Sequence, residues 1–563
     1  MSAIRLVRPP SNAVVGAAVA ASLSGSAMAF QLDLDNPDLQ VRWDNTVRYN
    51  VGWRMEDRDR TLGDTWALQA GEYRFDKGKV ITNRVDLLTE LDAVYKMYNG
   101  FRVSGAAWYD AAYDEDVRGN PAYQAAGLGT AYPGNKYTSP VKRYYTQSGE
   151  LLDAFAFGRI NLGTVPLDVK FGRHNIYWGE SLFSPIHGVS YSQGPVDFRK
   201  AVATPGSEAK ELFLPLNQLS AHAQLTDTVS VAAQYYLQWE PYRIYEGGTY
   251  FTFADPVFQR GTFFFPGNVL PYKGDVSSGP HAKPDDKGSW GVNLKASPEF
   301  GTVGLYYRRF DDKVPAVLGT YNGSNLVELH NAYAEDVKLW GLSLSKQIGG
   351  VAVGSELVHR SNTALTTVFG APGLARGDTW HALVNAIAYM GKTPLFESAT
   401  LLAELTYSRL DKVYRSTQGN FNHVDHVCSR DPFGTPGGGK SDGCATDDAW
   451  GISMTFTPLW YQVVPGVDLT MPIHYDRGLK GNSPVPFGGN EGSGTWSIGF
   501  GADYLGKYKF NIAYTDYFGD YKKGANLFGG VPGIGATQMY TSNGGNALIH
   551  DRGWLSFTFK TTF

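Results

Sequence analysis

The chain has 563 residues, of which 66 are glycine and 14% aromatic, with 54 acidic against 50 basic side chains. A mildly acidic chain without a basic block excludes a nucleic-acid partner. Beyond the leader, no run approaches the 18 or so apolar residues of a membrane-spanning helix, which excludes helical spans.

Arg5 and Arg8 precede an apolar run over residues 13–23, and Ala27-Met28-Ala29 forms an A-x-A site. This pattern predicts a secretory signal peptide over residues 1–29, with Phe30 opening the mature chain. Without those two arginines, 48 basic residues face 54 acidic ones, a net charge of −6.

From residue 39 onward the sequence alternates with a period of two, the period of a strand. Leu39, Val41, Trp43, Val47, Tyr49, Val51 and Trp53 share one parity. Gln40, Arg42, Asp44, Thr46, Arg48 and Arg54 share the other, with Asn45 the polar exception on the apolar side. Tyr98-Asn99-Gly100 reads as a three-residue hairpin with Gly100 left-handed and Met97 opposite Phe101. Further short joints are expected at Gly163-Thr164, Asp227, Phe300-Gly301, Gly349-Gly350 and Gly506. Long polar segments lie near 55–80, 115–147, 242–286, 312–335, 411–447 and 519–550. The alternation returns over 450–457, 496–504 and 508–515, and weakens over 380–390, which is apolar on both parities.

The last strand is WLSFTFKTTF, Trp554 to Phe563. Leu555, Phe557, Phe559 and Phe563 sit on one parity, Trp554, Ser556, Thr558 and Lys560 on the other. Behind a signal peptide this predicts an all-β fold, a closed antiparallel transmembrane β-barrel with lipid on the apolar side and a wet lumen on the other. About 18 strands (16–20) are expected, with both termini periplasmic and long extracellular loops. Residues 30–563 form one barrel domain of an outer-membrane protein, in contact with outer-membrane lipid and lipopolysaccharide. Terminal-phenylalanine strands resemble the signal read by the barrel assembly machinery, here through Leu555, Phe557, Phe559 and Phe563.

Several ordered stretches carry a family resemblance: DNTVRYNVGWRMEDRD (44–59), KFGRHNIYWGESLF (170–183), PGSEAKELFLP (205–215), QYYLQWEP (234–241) and GTYF (248–251). Together they resemble the domain-of-unknown-function 1302 (DUF1302) family of Gram-negative outer-membrane proteins, over essentially the whole mature chain. His174 stands where many relatives have glutamine. The resemblance implies an outer-membrane barrel. Its genomic setting implies a periplasmic lipid-transfer-like protein and an exporter as partners, and traffic in hydrophobic compounds.

The segment after residue 170 is irregular. Parity would place Arg173 toward lipid, at a cost of about 2–4 kcal/mol at the midplane, so a bulge or strand end is expected near Gly172. The part 184–215 is rich in Gly and Pro, with VDFRKAV a candidate helical turn, and is expected to fold inward. Trp178, Glu180, Arg199, Lys200, Glu208, Lys210 and Glu211 would then line a constriction, the alternative being a solvated outer loop. Strand parity adds Arg42, Arg48, Arg54, Arg102, Trp108, Asp110 and Arg173 as candidates for the substrate path. A polar network bracing the barrel is the competing reading for the strand charges.

Cys428 and Cys444 share the loop 411–447, where an oxidising compartment predicts a disulfide worth about 3 kcal/mol in loop entropy. His423 and His426 complete an alternative Cys2His2 zinc set. GTPGGGKS (434–441) matches a phosphate-binding loop, but no strand–loop–helix context surrounds it. It reads as the flexible tip of the stapled loop, and neither a nucleotide nor any other cofactor is expected. GKSDG matches a hydrolase elbow without the strand and helix that elbow needs. Asp114, Glu115 and Asp116 read as a solvated loop, and no catalytic arrangement is expected. The predicted function is passive passage of hydrophobic or amphipathic small molecules through a constricted lumen. A hydrophilic porin and a structural or adhesion barrel are the alternatives, with a barrel-embedded hydrolase behind them.

Overall fold

The computed structural model describes residues 30–32, 36–258, 262–265, 268–279, 281–431 and 434–563. The leader over 1–29 lies outside them. The first strands are β1 Leu39–Arg54, β2 Val80–Tyr95, β3 Asn99–Asp110, β4 Gln147–Leu162, β5 Val165–His174 and β6 Leu216–Gln224. There follow β7 Val229–Tyr236, β8 Trp290–Ala296, β9 Thr302–Phe310, β10 Val337–Ile348, β11 Val351–Ala364 and β12 Arg376–Met390. The wall is completed by β13 Ser398–Val413, β14 Asp448–Val464, β15 (Val467–Thr470 and Ile473–Lys480), β16 Gly494–Tyr504, β17 Tyr508–Phe518 and β18 Trp554–Thr562. Each pairs antiparallel with the next, and β18 returns to β1, with Phe559 opposite Tyr49 and Lys560 opposite Arg48. The result is a closed 18-strand transmembrane barrel. Closure leaves no unpaired edge, which a sheet in lipid requires.

The break in β15 falls at Met471-Pro472. Pro472 has no N–H to give the ladder, and its carbonyl instead accepts from Gly499 N–H at 2.9 Å. A short strand, Phe30–Leu32, pairs with Val41–Trp43 on the edge of β1 below the end of β18.

Short turns join strands at one rim, including residues 96–98, 163–164, 225–228, 349–350 and 505–507. Both described ends of the chain sit there as well, and the long connections sit at the other rim. The first turn differs from its expected form. Tyr95 pairs with Asn99, and the turn is Lys96-Met97-Tyr98, with φ of 49° at Lys96 and 65° at Met97. Gly100 lies inside β3. A Cβ there would stand 2.1 Å from Ala93 O and 2.7 Å from the Phe157 ring, so glycine permits close approach rather than a left-handed turn.

The outer face carries the apolar parity. Leu87, Phe101, Ile160, Phe171, Leu294, Leu342, Val384 and Phe500 are exposed large side chains on it. Aromatic pairs form belts at both rims: Tyr307–Trp340 and Tyr407–Trp450 toward the long loops, and Tyr504–Tyr508 and Phe510–Phe559 toward the short turns. An apolar band between aromatic girdles is the profile of a barrel in a bilayer.

Candidate functional site: a lumen filled on one side

After His174 the chain turns into the barrel. Residues 178–189 form neither a sheet ladder nor a long helix, so their N–H groups need other acceptors. Two wall carboxylates supply them. Glu356 on β11 accepts from Glu180, from Ser181 at 3.0 Å and from Val189 at 2.5 Å. Glu404 on β13 accepts from Leu182 at 2.7 Å, Phe183 at 3.2 Å and Ser184 at 2.7 Å. Asn385 on β12 donates to Glu180 O at 2.6 Å. Apolar side chains finish the seat: Trp178, Ile186, Val189 and Tyr191 share a buried cluster with the lumen-facing Tyr306, Leu339 and Val358.

Two short helices follow. In Phe198–Ala203, the Asp197 side chain caps Lys200 N–H at 3.1 Å. Arg199 pairs with Glu246 at 2.9 Å, and Lys200 with Glu150 on β4 at 3.1 Å. In Ala209–Leu212, the Glu211 side chain accepts the Glu208 N–H at 3.5 Å, and the Glu211 N–H donates to the Glu208 carbonyl at 2.8 Å. Glu211 then takes Arg48 of β1 in a bidentate pair at 2.8 and 3.0 Å. Lys210 reaches Glu90 of β2, and Glu208 reaches Lys560 of β18. A second insertion, within 237–289, sets Phe251 edge-on to Trp554 and brings Tyr250 O to Arg552 at 2.6 Å.

Most of the charges read from sequence as path-lining are therefore buried against an insert. Arg48, Arg54, Trp108, Asp110, Trp178, Arg199, Lys200 and Glu211 have almost no accessible surface. They hold the filling in place instead of lining open water, the charged ones through ion pairs and hydrogen bonds. Arg54, for example, is consumed by Glu72 at 3.0 Å and Asp551 at 2.8 Å. Arg102 binds Asp92 at 2.9 Å, Asp153 at 3.1 Å and Glu90, and stays a quarter exposed. Arg42, beside Asp44, is exposed toward the short-turn rim, and Glu180, Glu208 and Lys210 are half-buried. Arg173, next to last in β5, lies on the parity of the outer face. The strand continues through Gly172, which takes a φ of 120°, and Arg173 pairs with Gln238 at 3.0 Å and Glu240 at 3.3 Å.

The filling is uneven. Lumen-facing Thr82, Arg84, Asp86 and Leu88 of β2 are buried, as are Glu356, Val358 and Arg360 of β11 and His381, Leu383 and Asn385 of β12. On the arc between them, lumen-facing Ser453 and Thr455 of β14, His474 and Asp476 of β15, Thr495 and Ser497 of β16, and Asn511, Ala513 and Thr515 of β17 all keep accessible surface. The insert meets this wall and a neighbouring loop through aromatic rings. Phe183 lies 5.8 Å from His474, and Phe198 stacks on Phe487 of the loop 481–493 at 5.9 Å. Small polar side chains that keep accessible surface thus lie beside aromatic ones at this part of the lumen wall.

The outer loop 414–447 is stapled, with Cys428 and Cys444 forming a disulfide across a Cα–Cα distance of 5.8 Å. The sulfurs are thereby taken, and among the described residues no group of three metal-binding side chains forms. The nucleotide-like stretch is not a free tip. Lys440 pairs with Glu491 at 2.6 Å, and Asp442 with Lys522 at 2.7 Å, docking the loop on its neighbours. Glu115 meets Arg74 at 3.4 Å, and Asp114 accepts from Tyr109 at 2.6 Å.

Against known families, the chain matches the profile of DUF1302, a protein of unknown function, over residues 11–563. No curated protein matches. Among solved structures it is similar to Pseudomonas aeruginosa OpdK with vanillate, at 8% identity and a TM-score of 0.39, over 93% of this chain and 98% of that one. It is similar to Acinetobacter baumannii OccAB4 at 10% identity and a TM-score of 0.41, over 94% and 100%. It is also similar to the A. baumannii outer-membrane channel DcaP at 9% identity and a TM-score of 0.36, over 95% and 100%.

Proposed function

The chain belongs to the DUF1302 family, and from that premise we propose that it is a passive outer-membrane channel for hydrophobic or amphipathic small molecules. The observation that carries this reading is the uneven lumen, filled against β1–β3 and β9–β13 and accessible along β14–β17. Ser453, Ser497 and Asn511 offer hydrogen bonds to water and to polar groups of a solute. Phe183, Phe198 and Phe487 offer apolar contact at low affinity. A solute with both kinds of surface exchanges one partner for another as it moves, so no step requires full desolvation. Nothing in this route requires an energy source, and direction follows the gradient.

The long-loop rim is taken as extracellular and the short-turn rim as periplasmic. The apolar belt meets membrane lipid and lipopolysaccharide, and Leu555, Phe557, Phe559 and Phe563 of the closing strand are the contacts offered to the assembly machinery. A periplasmic lipid-transfer-like protein and an exporter remain the proposed partners.

A hydrophilic porin is the second reading, favoured by the small polar side chains of β14–β17. Proteoliposome swelling decides between them. The channel reading predicts slow swelling in sugars together with impaired growth and accumulation on hydrophobic carbon sources in a deletion strain. Fast swelling in sugars without such a growth defect establishes the porin. Neither effect would leave a structural or adhesion barrel.

A further inference from the structure

Between the insert and the wall of β3–β5 lies a cavity of about 510 Å³, a size suited to a ligand of drug-like dimensions. Phe155, Leu182 and Phe213 give it apolar walls, and Arg102, Lys210 and Lys170 bring three cations to it. Two of these are already neutralised. Arg102 holds Glu90, Asp92 and Asp153, and Lys210 holds Glu90 and Glu208.

Lys170 differs. Its strand neighbour Asp168, on the same face, is engaged by Arg159 at 2.6 and 2.9 Å. The ammonium of Lys170 lies 5.3 Å over the Phe155 ring and makes no ion pair among the described residues. An ammonium beside apolar surface gains most from an anion that brings its own apolar body.

We propose that this cavity binds an amphipathic organic anion, its acidic head on Lys170 and its body along Phe155, Leu182 and Phe213. The proposal rests on the channel reading and names the substrate class for it. A neutral or cationic solute leaves the exposed Lys170 to water alone, so the cavity favours the acid among molecules of equal apolar size.

The test uses the full mature chain in nanodiscs, with empty nanodiscs as the blank for lipid partition. Calorimetry is run with 2-naphthoate and with 2-naphthalenemethanol, which share one ring system. Lys170→Gln is expected to weaken naphthoate tenfold or more and to leave the alcohol within twofold, and Lys170→Arg is expected to restore naphthoate binding. Leu182→Trp, which fills the cavity, is expected to weaken both. Heat-modifiable migration on gels confirms that each variant is a folded barrel. The proposal is overturned if folded Lys170→Gln binds naphthoate as the parent does, if the acid and the alcohol weaken equally, or if the parent binds no naphthoate. Planar-bilayer conductance of the same preparations separates the two ideas. Conductance without naphthoate binding overturns this site alone, whereas binding without conductance overturns the channel reading and leaves the site standing.

Discussion

Arg48 is fully enclosed between two carboxylates, Glu211 at 2.8 Å and Asp86 at 3.6 Å. Removing it leaves Glu211 buried and unpaired, which costs about 3–5 kcal/mol, while replacing both partners by apolar residues of similar volume costs far less. Arg48→Ala should therefore lower the denaturant midpoint strongly, and Arg48→Met with Glu211→Leu should recover most of the loss. Equal loss in both would mean that packing, not charge, is at stake. Gly100→Ala is expected to cost about 1–3 kcal/mol, since its Cβ would meet Ala93 O at 2.1 Å; an unchanged midpoint would contradict the close approach. Asp255, in the second insertion, accepts N–H groups of Ala70 at 2.6 Å and Gly71 at 3.1 Å at the start of the helix Gln69–Arg74. Burial pushes its carboxyl up from 3.8 to about 7, with the nearby Glu72 adding to the rise and Arg552 opposing it. An acid raised in the folded state contributes stability that is full below its unfolded value and is lost as pH rises through about 7. Amides of residues 69–74 should lose protection progressively between about pH 4 and 7, and no further above that, after correction for intrinsic exchange, and Asp255→Asn should flatten that dependence. A flat parental profile would refute the linkage.

At the level of elements, the inserted segment depends on Glu356 and Glu404 more than on its own helices. Glu404→Leu strips acceptors from Leu182, Phe183 and Ser184, each worth about 1–3 kcal/mol when left unsatisfied. Hydrogen exchange at those three amides should accelerate at least tenfold with β13 itself unchanged; unaltered exchange would show that the seat is apolar. The same seat explains which elements were legible. Strands β14–β17 face lipid on one side and small polar groups with accessible surface on the other, and β1 turns charged and polar side chains to the filling, so their alternation is clean. Over 380–390 it fades because the lumen face of β12 packs on the insert through Leu383, and apolar burial then occurs on both faces. The turn at 96–98 departs from its expected form because a glycine one step into the strand looks, in sequence, like a left-handed turn residue. Glu356 and Glu404 were missed for a related reason. A lone acid on the lumen parity looks like any pore charge until the backbone it must cap is in view.

For the whole molecule, closure and strand number follow from parity and turn spacing, properties local to each hairpin. The division of the lumen follows from contacts between residues far apart in sequence, such as Arg48 with Glu211 and Ser181 with Glu356. That division is the central claim, and site-directed labelling reads it directly. Single cysteines are placed at Ser453, Ser497 and Asn511 on the accessible wall, and at Leu339, Val358 and Leu383 on the filled one, in the chain whose native disulfide is intact. A charged methanethiosulfonate reagent is then added during single-channel recording. The account predicts rapid labelling and a stepwise fall in conductance for the first three, and neither for the second three. Labelling and block at Leu339 or Val358, with none at Ser453 or Ser497, would contradict it.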